Sequence, residues 1–324
     1  IGRAHVQLPG TDLTVSRLCL GTMTFGGQAD EAASHAMVDF ALDNGINFFD
    51  TANVYNKGVS EEITGRAMKG RRDKFVLATK VRGAMGEGPE DKGLSRAAIL
   101  KQCDASLQRL NTDYVDIYYF HMQDHAVPIE ESLEAMDSLV KAGKVRYPAV
   151  SNFGAWQIVE MRNIAERNGY RPVHICQPMF NVTTRAIEAE LLPMCKRYGV
   201  SSFVYNPLAG GLLTGKHNQA KPLEKSRFDG NKMYQDRFWN DAQFDAVAEL
   251  ACAAGESGRS LVSIALNWIL HHSMATGIIL GASQMRHLSA NIAAAREGPL
   301  DARTLEACET VWRKLRGVVP DYIR

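Results

Sequence analysis

The feature that most constrains this chain is an alternation. A short apolar run ends in a polar or small residue, a helical period follows, and the unit recurs eight times. The runs are Arg17 to Gly21, Gly45 to Tyr55 with its apolar part at Ile46 to Phe49, Lys74 to Lys80, Tyr114 to His121, Val145 to Ser151, Val173 to Gln177, Val200 to Tyr205 and Thr276 to Gly281. Eight strands alternating with helices predict a parallel α/β structure closed on itself, a (β/α)8 TIM barrel, rather than an open sheet. Residues 1 to 15 alternate polar and apolar around Pro9-Gly10-Thr-Asp12, which predicts a β-hairpin ahead of the barrel. A long loop, Leu208 to about Asn240, follows strand 7 before the chain returns to strand 8. No interior linker breaks the pattern, so residues 1–324 read as one domain.

Local signals fix most of the helices. One runs from about Asp30 to Asn44 and stops at Gly45. Ser60 is the expected N-cap of the next, with Glu61 and Glu62 in its first turn and Gly70 past its end. Ser95 caps a helix with Ile99, Leu100, Cys103, Leu107 and Leu110 on one face. Pro128 opens one that runs to Gly143, and others span Ala155 to Asn168 and reach Tyr198. Pro148 sits inside strand 5, where a central strand wants a backbone donor, and predicts a local kink.

Composition narrows the function classes. The 324 residues are 45% hydrophobic and 23% charged, enough for one large core. A formal charge of +1 leaves no footprint for nucleic acid or an anionic membrane surface. No apolar stretch would span a bilayer, and the start Ile1-Gly-Arg-Ala-His lacks the apolar part of a signal peptide. Six scattered cysteines without a CxxC pair read as reduced core thiols of a cytoplasmic protein. His121 and His125 have metal-like spacing. The residue after the first is Met122 and the segment leaves a strand, so no metal site is expected. His271 and His272 read as an exposed helix end.

The chemistry lies at the strand ends. Asp50 with Tyr55, then Lys80, then His121 leave three successive strands that face the same way. Singly, each has a bland reading: a helix cap, a packed ring, a solvated lysine, a hydrogen-bonded core imidazole. Together they suit carbonyl reduction. A hydride arriving at carbon leaves charge on oxygen, and that oxygen needs a proton. Tyrosine can supply it if a neighbouring ammonium stabilises the phenolate and lowers its pKa. Lys80 is the candidate ammonium and Asp50 its counter-charge, while His121 can hydrogen-bond the carbonyl oxygen.

These four residues resemble the tetrad of the aldo-keto reductases. The words Leu20-Gly-Thr-Met23, Asp50-Thr-Ala, Ala78-Thr-Lys80, Ser151-Asn-Phe153 and Gly281-Ala-Ser283 agree with it. In the C-terminal half, His121-Met-Gln-Asp-His125, Thr183-Thr-Arg185, Tyr205-Asn-Pro-Leu through Lys216, and Tyr322-Ile-Arg324 narrow the resemblance to the aflatoxin-aldehyde and succinic-semialdehyde reductase branch. The resemblance implies NADPH-dependent reduction of aldehydes, possible ketones or dicarbonyls included, by a monomer or homodimer acting on a small-molecule carbonyl.

It also implies a cofactor site without the G-x-G-x-x-G fingerprint, which is absent here. Ser151, Asn152 and Gln177 would hold the nicotinamide carboxamide, and Tyr205 would stack on the ring, followed by Asn206, Pro207 and Leu208. Gly21, Thr22, Met23, Gln28 and Asp50 belong to the same end. Gly210 to Lys216 would embrace the pyrophosphate. That segment nearly spells a nucleotide-triphosphate loop, but His217 stands where a hydroxyl is needed. Gly281, Ser283, Arg286 and Asn291, with Arg227, would surround the 2′-phosphate. His287 and Ala290 replace the Gln and Glu that relatives place on the adenosine. Met23, Tyr55, His121, Tyr234 and Arg324 would line the substrate pocket, with Arg324 on a substrate carboxylate. Two other readings share these motifs: an NADPH-sensing regulatory subunit like the potassium-channel beta subunits, and a sugar or steroid dehydrogenase working oxidatively.

Overall fold

The computed structural model describes residues 4–318. Strands β1 (His5–Gln7) and β2 (Thr14–Ser16) pair antiparallel as the expected hairpin. Eight parallel strands then close a barrel: β3 (Leu18–Gly21), β4 (Phe48–Asp50), β5 (Val76–Val81), β6 (Val115–Phe120), β7 (Val145–Ser151), β8 (Ile175–Gln177), β9 (Ser201–Val204) and β10 (Gly277–Gly281). The last strand pairs back onto the first, Gly281 beside Gly21. The helices are α1 (Glu31–Asp43), α2 (Val59–Met68), α3 (Arg96–Leu110), α4 (Ile129–Lys141), α5 (Ala155–Asn168), α6 (Leu191–Tyr198), α7 (Lys232–Phe238), α8 (Asp241–Ser257), α9 (Leu261–His272), α10 (Met285–Ala295) and α11 (Ala302–Arg316).

Strand alternation divides the core in two. One set faces inward and contacts the hairpin: Cys19, Phe48, Ala78, Ile117, Tyr119, Ala149, Ile175, Phe203 and Ile279 pack with Leu8, Leu13 and Val15. The hairpin thus plugs the bottom of the barrel with apolar side chains. The alternate residues, such as Phe49, Leu77, Tyr118, Val150 and Val204, pack outward under the helices. Interior packing this dense makes the barrel a filled core rather than a channel.

Several local expectations change. Ser95 caps α3 as read, accepting from the backbone N–H of Ala98, and Asp30 proves to be the cap of α1, accepting from that of Ala33. Ser60 does not cap α2. The chain enters that helix through three left-handed residues, Asn56, Lys57 and Gly58 (φ 49°, 54° and 94°), so the helix starts at Val59 and Ser60 lies inside it. Pro148 does not break β7: the strand runs unbroken from Val145, and pairing with β8 begins only at Ala149. The proline therefore lies where the second ladder has not yet started.

The excursion after β9 is also more ordered than expected. It holds a tight turn over Ala209–Thr214, then α7, and returns through α8 and α9. Its aromatic residues pack together, with Phe228 and Trp239 at 5.0 Å and Trp239 and Phe244 at 4.9 Å between ring centroids. His271 and His272 end α9 but are half-buried, and His272 Nε2 accepts the Leu300 N–H at 2.9 Å. Five cysteines are buried as expected, while Cys252 is exposed on α8. Arg324 and the Tyr322-Ile-Arg324 word lie outside the described residues. Among the described residues no helix is long and apolar enough to cross a membrane.

Candidate active site

The inward series ends in polar residues. Two positions beyond Phe48 stands Asp50, two beyond Ala78 Lys80, two beyond Tyr119 His121, and two beyond Ala149 Ser151. Ile175 is followed in the same register by Gln177, and Phe203 by Tyr205. The period of two that fills the barrel with apolar groups therefore aims the next residue of each strand at its C-terminal mouth. Tyr55 arrives separately, on the turn between β4 and α2.

These groups form one connected set. Lys80 is fully buried, and its Nζ donates to Asp50 Oδ2 at 2.6 Å, to the Thr51 carbonyl at 2.8 Å and to Tyr55 OH at 3.2 Å. Gln177 Nε2 donates to the other Asp50 oxygen at 3.0 Å. The rings of Tyr55 and His121 stand edge to face, 6.0 Å apart between centroids. Asn152, held at φ 61°, donates to the His121 carbonyl at 2.9 Å and accepts from Tyr205 OH at 2.6 Å. Ser151 Oγ donates to the Gln177 carbonyl at 2.8 Å.

The electrostatics follow from burial. Burial disfavours the Lys80 ammonium, but Asp50 and Tyr55 more than offset it and hold its pKa above the usual lysine value. Burial pushes the Tyr55 phenol up; Lys80 pulls it back and Asp50 adds to the rise. The net shift is upward, opposite to the lowering expected from the ammonium alone. Burial, with Lys80 and Arg82 nearby, pulls His121 down to about 3, so its imidazole is neutral near pH 7.

Above this floor opens a cavity of about 940 Å³. Tyr55, His121, Asp50, Gly21, Met23 and Gln28 line one end. Ser151, Asn152, Gln177, Tyr205, Asn206, Pro207 and Leu208 continue the wall, then Gly210, Lys216, Arg227 and Tyr234 from the excursion. Gly281, Ser283, Arg286 and Asn291 bring the wall back beside Gly21. Thr22 does not belong to the wall. It is fully buried, and its hydroxyl meets Ser60 Oγ at 2.8 Å behind the strands. Lys80 lies beneath the floor and touches the cavity lining through Tyr55 and Asp50.

The structure adds wall residues that the motifs did not single out. Thr24 lines the cavity, and its hydroxyl donates to the Ala282 carbonyl at 2.6 Å, joining the two rims. Met122 follows His121, and Met233 and Arg237 come from α7. The Arg237 guanidinium stands 5.8 Å from the Tyr234 ring centre. Among the described residues no group of His, Cys, Asp or Glu is arranged to hold a metal.

Comparison with known proteins gives the family. The model of the Aldo/keto reductase family matches residues 17–313. The chain is similar to aflatoxin B1 aldehyde reductase member 2 of Rattus norvegicus, 37% identical over 323 residues, covering 94% of this chain and 87% of that protein. It is 35% identical over 325 residues to aldo-keto reductase family 7 member A3 of Homo sapiens, covering 94% and 96%. A probable voltage-gated potassium channel subunit beta of Arabidopsis thaliana is 36% identical over 303 residues, covering 91% and 92%.

Proposed function

The chain belongs to the aldo/keto reductase family and is an oxidoreductase of carbonyl and alcohol groups, and from that premise we propose that it reduces aldehydes with NADPH, Tyr55 delivering the proton. One observation carries the reading: Asp50, Lys80 and Tyr55 form a continuous chain, at 2.6 and 3.2 Å, beneath a cavity that also presents a neutral His121.

The cavity suits a dinucleotide. Its lining includes both Tyr55 and the start of α10, where the Gln284 side chain accepts from Arg286 Nε at 2.7 Å rather than from the helix backbone, which leaves first-turn N–H groups for an anion. Arg286, Lys216 and Arg227 supply cations at that end, and Arg227 Nη2 lies 3.5 Å from where a Cβ on Gly281 would sit. Asn206 Nδ2 is buried on the cavity wall without a partner among the described residues, a donor left for a ligand. Ser151, Asn152, Gln177 and Tyr205 would hold the nicotinamide end, and Ser283, Arg286, Asn291 and Arg227 the 2′-phosphate. When bound, NADPH supplies the hydride.

The chain's own residues do the rest. His121 donates a hydrogen bond to the carbonyl oxygen and fixes its direction, a role that needs a neutral or protonated ring but no proton loss. Tyr55 gives its phenolic proton to that oxygen as charge develops. The phenolate left behind is stabilised by the Lys80 ammonium, which Asp50 and the Thr51 carbonyl keep in place. Met23, Met122, Met233 and Tyr234 line the cavity and would flank the reacting carbon.

Turnover of NADPH with 4-nitrobenzaldehyde tests the proposal. Tyr55→Phe should lose about two orders of magnitude or more in kcat while NADPH still quenches protein fluorescence. Unchanged turnover would remove Tyr55 as the acid. The resemblance to channel beta subunits gives a second reading, a cofactor sensor. Tight NADPH binding with no aldehyde turnover in the wild type would favour it.

A further inference from the structure

We propose that Glu61 is a positioning residue for Tyr55. Its carboxylate grips the outer face of the strand that carries Lys80, and so sets the separation between proton donor and ammonium. The inference rests on the reading of Tyr55 as the acid.

Tyr55 is held by no strand. It sits on a turn followed by three consecutive left-handed residues, two of them not glycine. Such residues are strained and persist only where their surroundings over-determine them. On the upstream side Asn56 Nδ2 donates to the carbonyls of Met23 (3.1 Å) and Phe25 (2.7 Å). Downstream the chain is fixed by two successive residues of α2, Ser60 and Glu61, both without solvent exposure. Ser60 Oγ donates to the Thr22 carbonyl at 2.7 Å and lies 3.0 Å from the Thr51 hydroxyl. Glu61 Oε1 accepts from Thr79 Oγ1 at 2.5 Å, and Oε2 accepts from Arg109 Nε at 2.7 Å.

The anchors stand next to the groups that Tyr55 must meet. Thr79 precedes Lys80 on β5, and side chains alternate along a strand, so Lys80 points into the barrel while Thr79 points to α2. Thr51 follows Asp50, and its carbonyl accepts from Lys80. Glu61 thus ties the Tyr55 turn to Thr79, the residue before Lys80, through one hydrogen bond, and Arg109 from α3 fixes the carboxylate itself. A Cβ on Gly58 would come within 2.8 Å of Arg109 Cδ, so the turn and the ion pair are packed against each other. A buried carboxylate is a costly anchor, and an apolar residue would serve if α2 needed only to be packed.

Three variants test this. Glu61→Gln keeps the shape and removes the charge that Arg109 holds. Thr79→Val removes only the donor from β5 and covers the case in which Glu61→Gln does not fold. Tyr55→Phe reports on the acid itself. The expected result for Glu61→Gln is a fall in kcat of about ten- to a hundredfold, the scale of a misplacement of about 1 Å. Thr79→Val should lose about fivefold or more. In both, the KM for aldehyde and the affinity for NADPH stay within about threefold, since neither residue lines the cavity. The alkaline limb of kcat against pH should move to higher pH, because a looser Lys80 contact draws the phenol down less. A purely structural role would lower the melting temperature and leave that limb in place. Normal kcat in Thr79→Val, or a kcat loss with an unmoved limb, overturns the proposal. If Tyr55→Phe keeps full turnover, the reading of the acid fails instead; if it is inactive while Thr79→Val is normal, only the positioning role fails.

Discussion

Replacing Asp50 by Asn separates the charge of this site from its shape. Asn has the outline of Asp and keeps an acceptor for Lys80 or Gln177, so the change removes a negative charge 2.6 Å from an ammonium with no solvent exposure. Besides that amide oxygen, Lys80 is left with two neutral acceptors, the Thr51 carbonyl and the Tyr55 hydroxyl. Breaking one side of a buried ion pair costs about 3–5 kcal/mol, a large part of the roughly 5–15 kcal/mol that holds a domain together. The sign of the pH dependence is the sharper test. In the wild type the folded pKa of Lys80 lies above its ordinary 10.5. Its contribution is therefore complete below that value and lost only as pH rises through the folded pKa. In Asp50→Asn burial acts unopposed by the anion, and the folded pKa should fall below 10.5. Folding then expels a proton, and stability should rise with pH, by up to about 1.4 kcal/mol per unit, until the ordinary value is reached. Urea unfolding followed by the fluorescence of the four tryptophans, at several pH values between about 7 and 9, measures both effects. The stability gap between the proteins should narrow as pH rises, and kcat of the variant should stay depressed throughout. A gap of constant size would mean that Lys80 does not owe its charge to Asp50.

Three further outcomes follow from the same geometry. His121, held near about 3 against its usual 6.5, binds fewer protons folded than unfolded, so the stability it contributes is present above about 6.5 and lost as pH falls; His121→Gln should flatten the acid side of the stability curve, and no acid limb of kcat should report this ring between about pH 5 and 8. Arg286→Ala should raise the dissociation constant for NADPH by about tenfold and that for NADH by much less, measured by fluorescence titration. Arg237, a cation on the cavity wall, should favour aldehydes with a remote carboxylate, so Arg237→Met should raise KM for succinic semialdehyde by about tenfold and leave that for 4-nitrobenzaldehyde nearly unchanged.

The strand ends were legible because a period of two is written in the chain itself. Once Phe48, Ala78 and Tyr119 are assigned to the interior, Asp50, Lys80 and His121 must face the same way. The same parity turns the Thr22 side chain away from the cavity wall, where motif likeness had placed the residue: Gly21 faces the cavity, so its neighbour turns to the helices. The α2 start was misplaced because its position depends on backbone that only Gly58 announces. Asn56 and Lys57 also adopt left-handed geometry, and nothing in a lysine signals that. Helix α7 was read as loop because its seven residues are too few for periodicity to speak. Its placement comes instead from contacts outside the helix, as where Tyr234 packs against Phe228 and Gly210.

What sequence spacing could not supply is the balance of opposing shifts at Tyr55. Residue types alone predict that an ammonium lowers a phenol's pKa, and Lys80 does act in that direction. Yet the fixtures that bring Lys80 within 3.2 Å are the ones that remove both groups from water. The apolar layer of Phe48, Ala78 and Tyr119 lies directly beneath, and the strained turn is packed against Arg109. Burial then raises the phenol more than the ammonium lowers it. Tyr55 therefore rests protonated across the physiological range, as a proton donor must. On the proposed reading of Tyr55 as the acid, Lys80 matters most once the proton has left, when its charge faces a phenolate instead of a neutral hydroxyl and the attraction is unscreened by water. An interaction that is weak before proton transfer and strong after it lowers the barrier, and it needs the pair to be both close and dry.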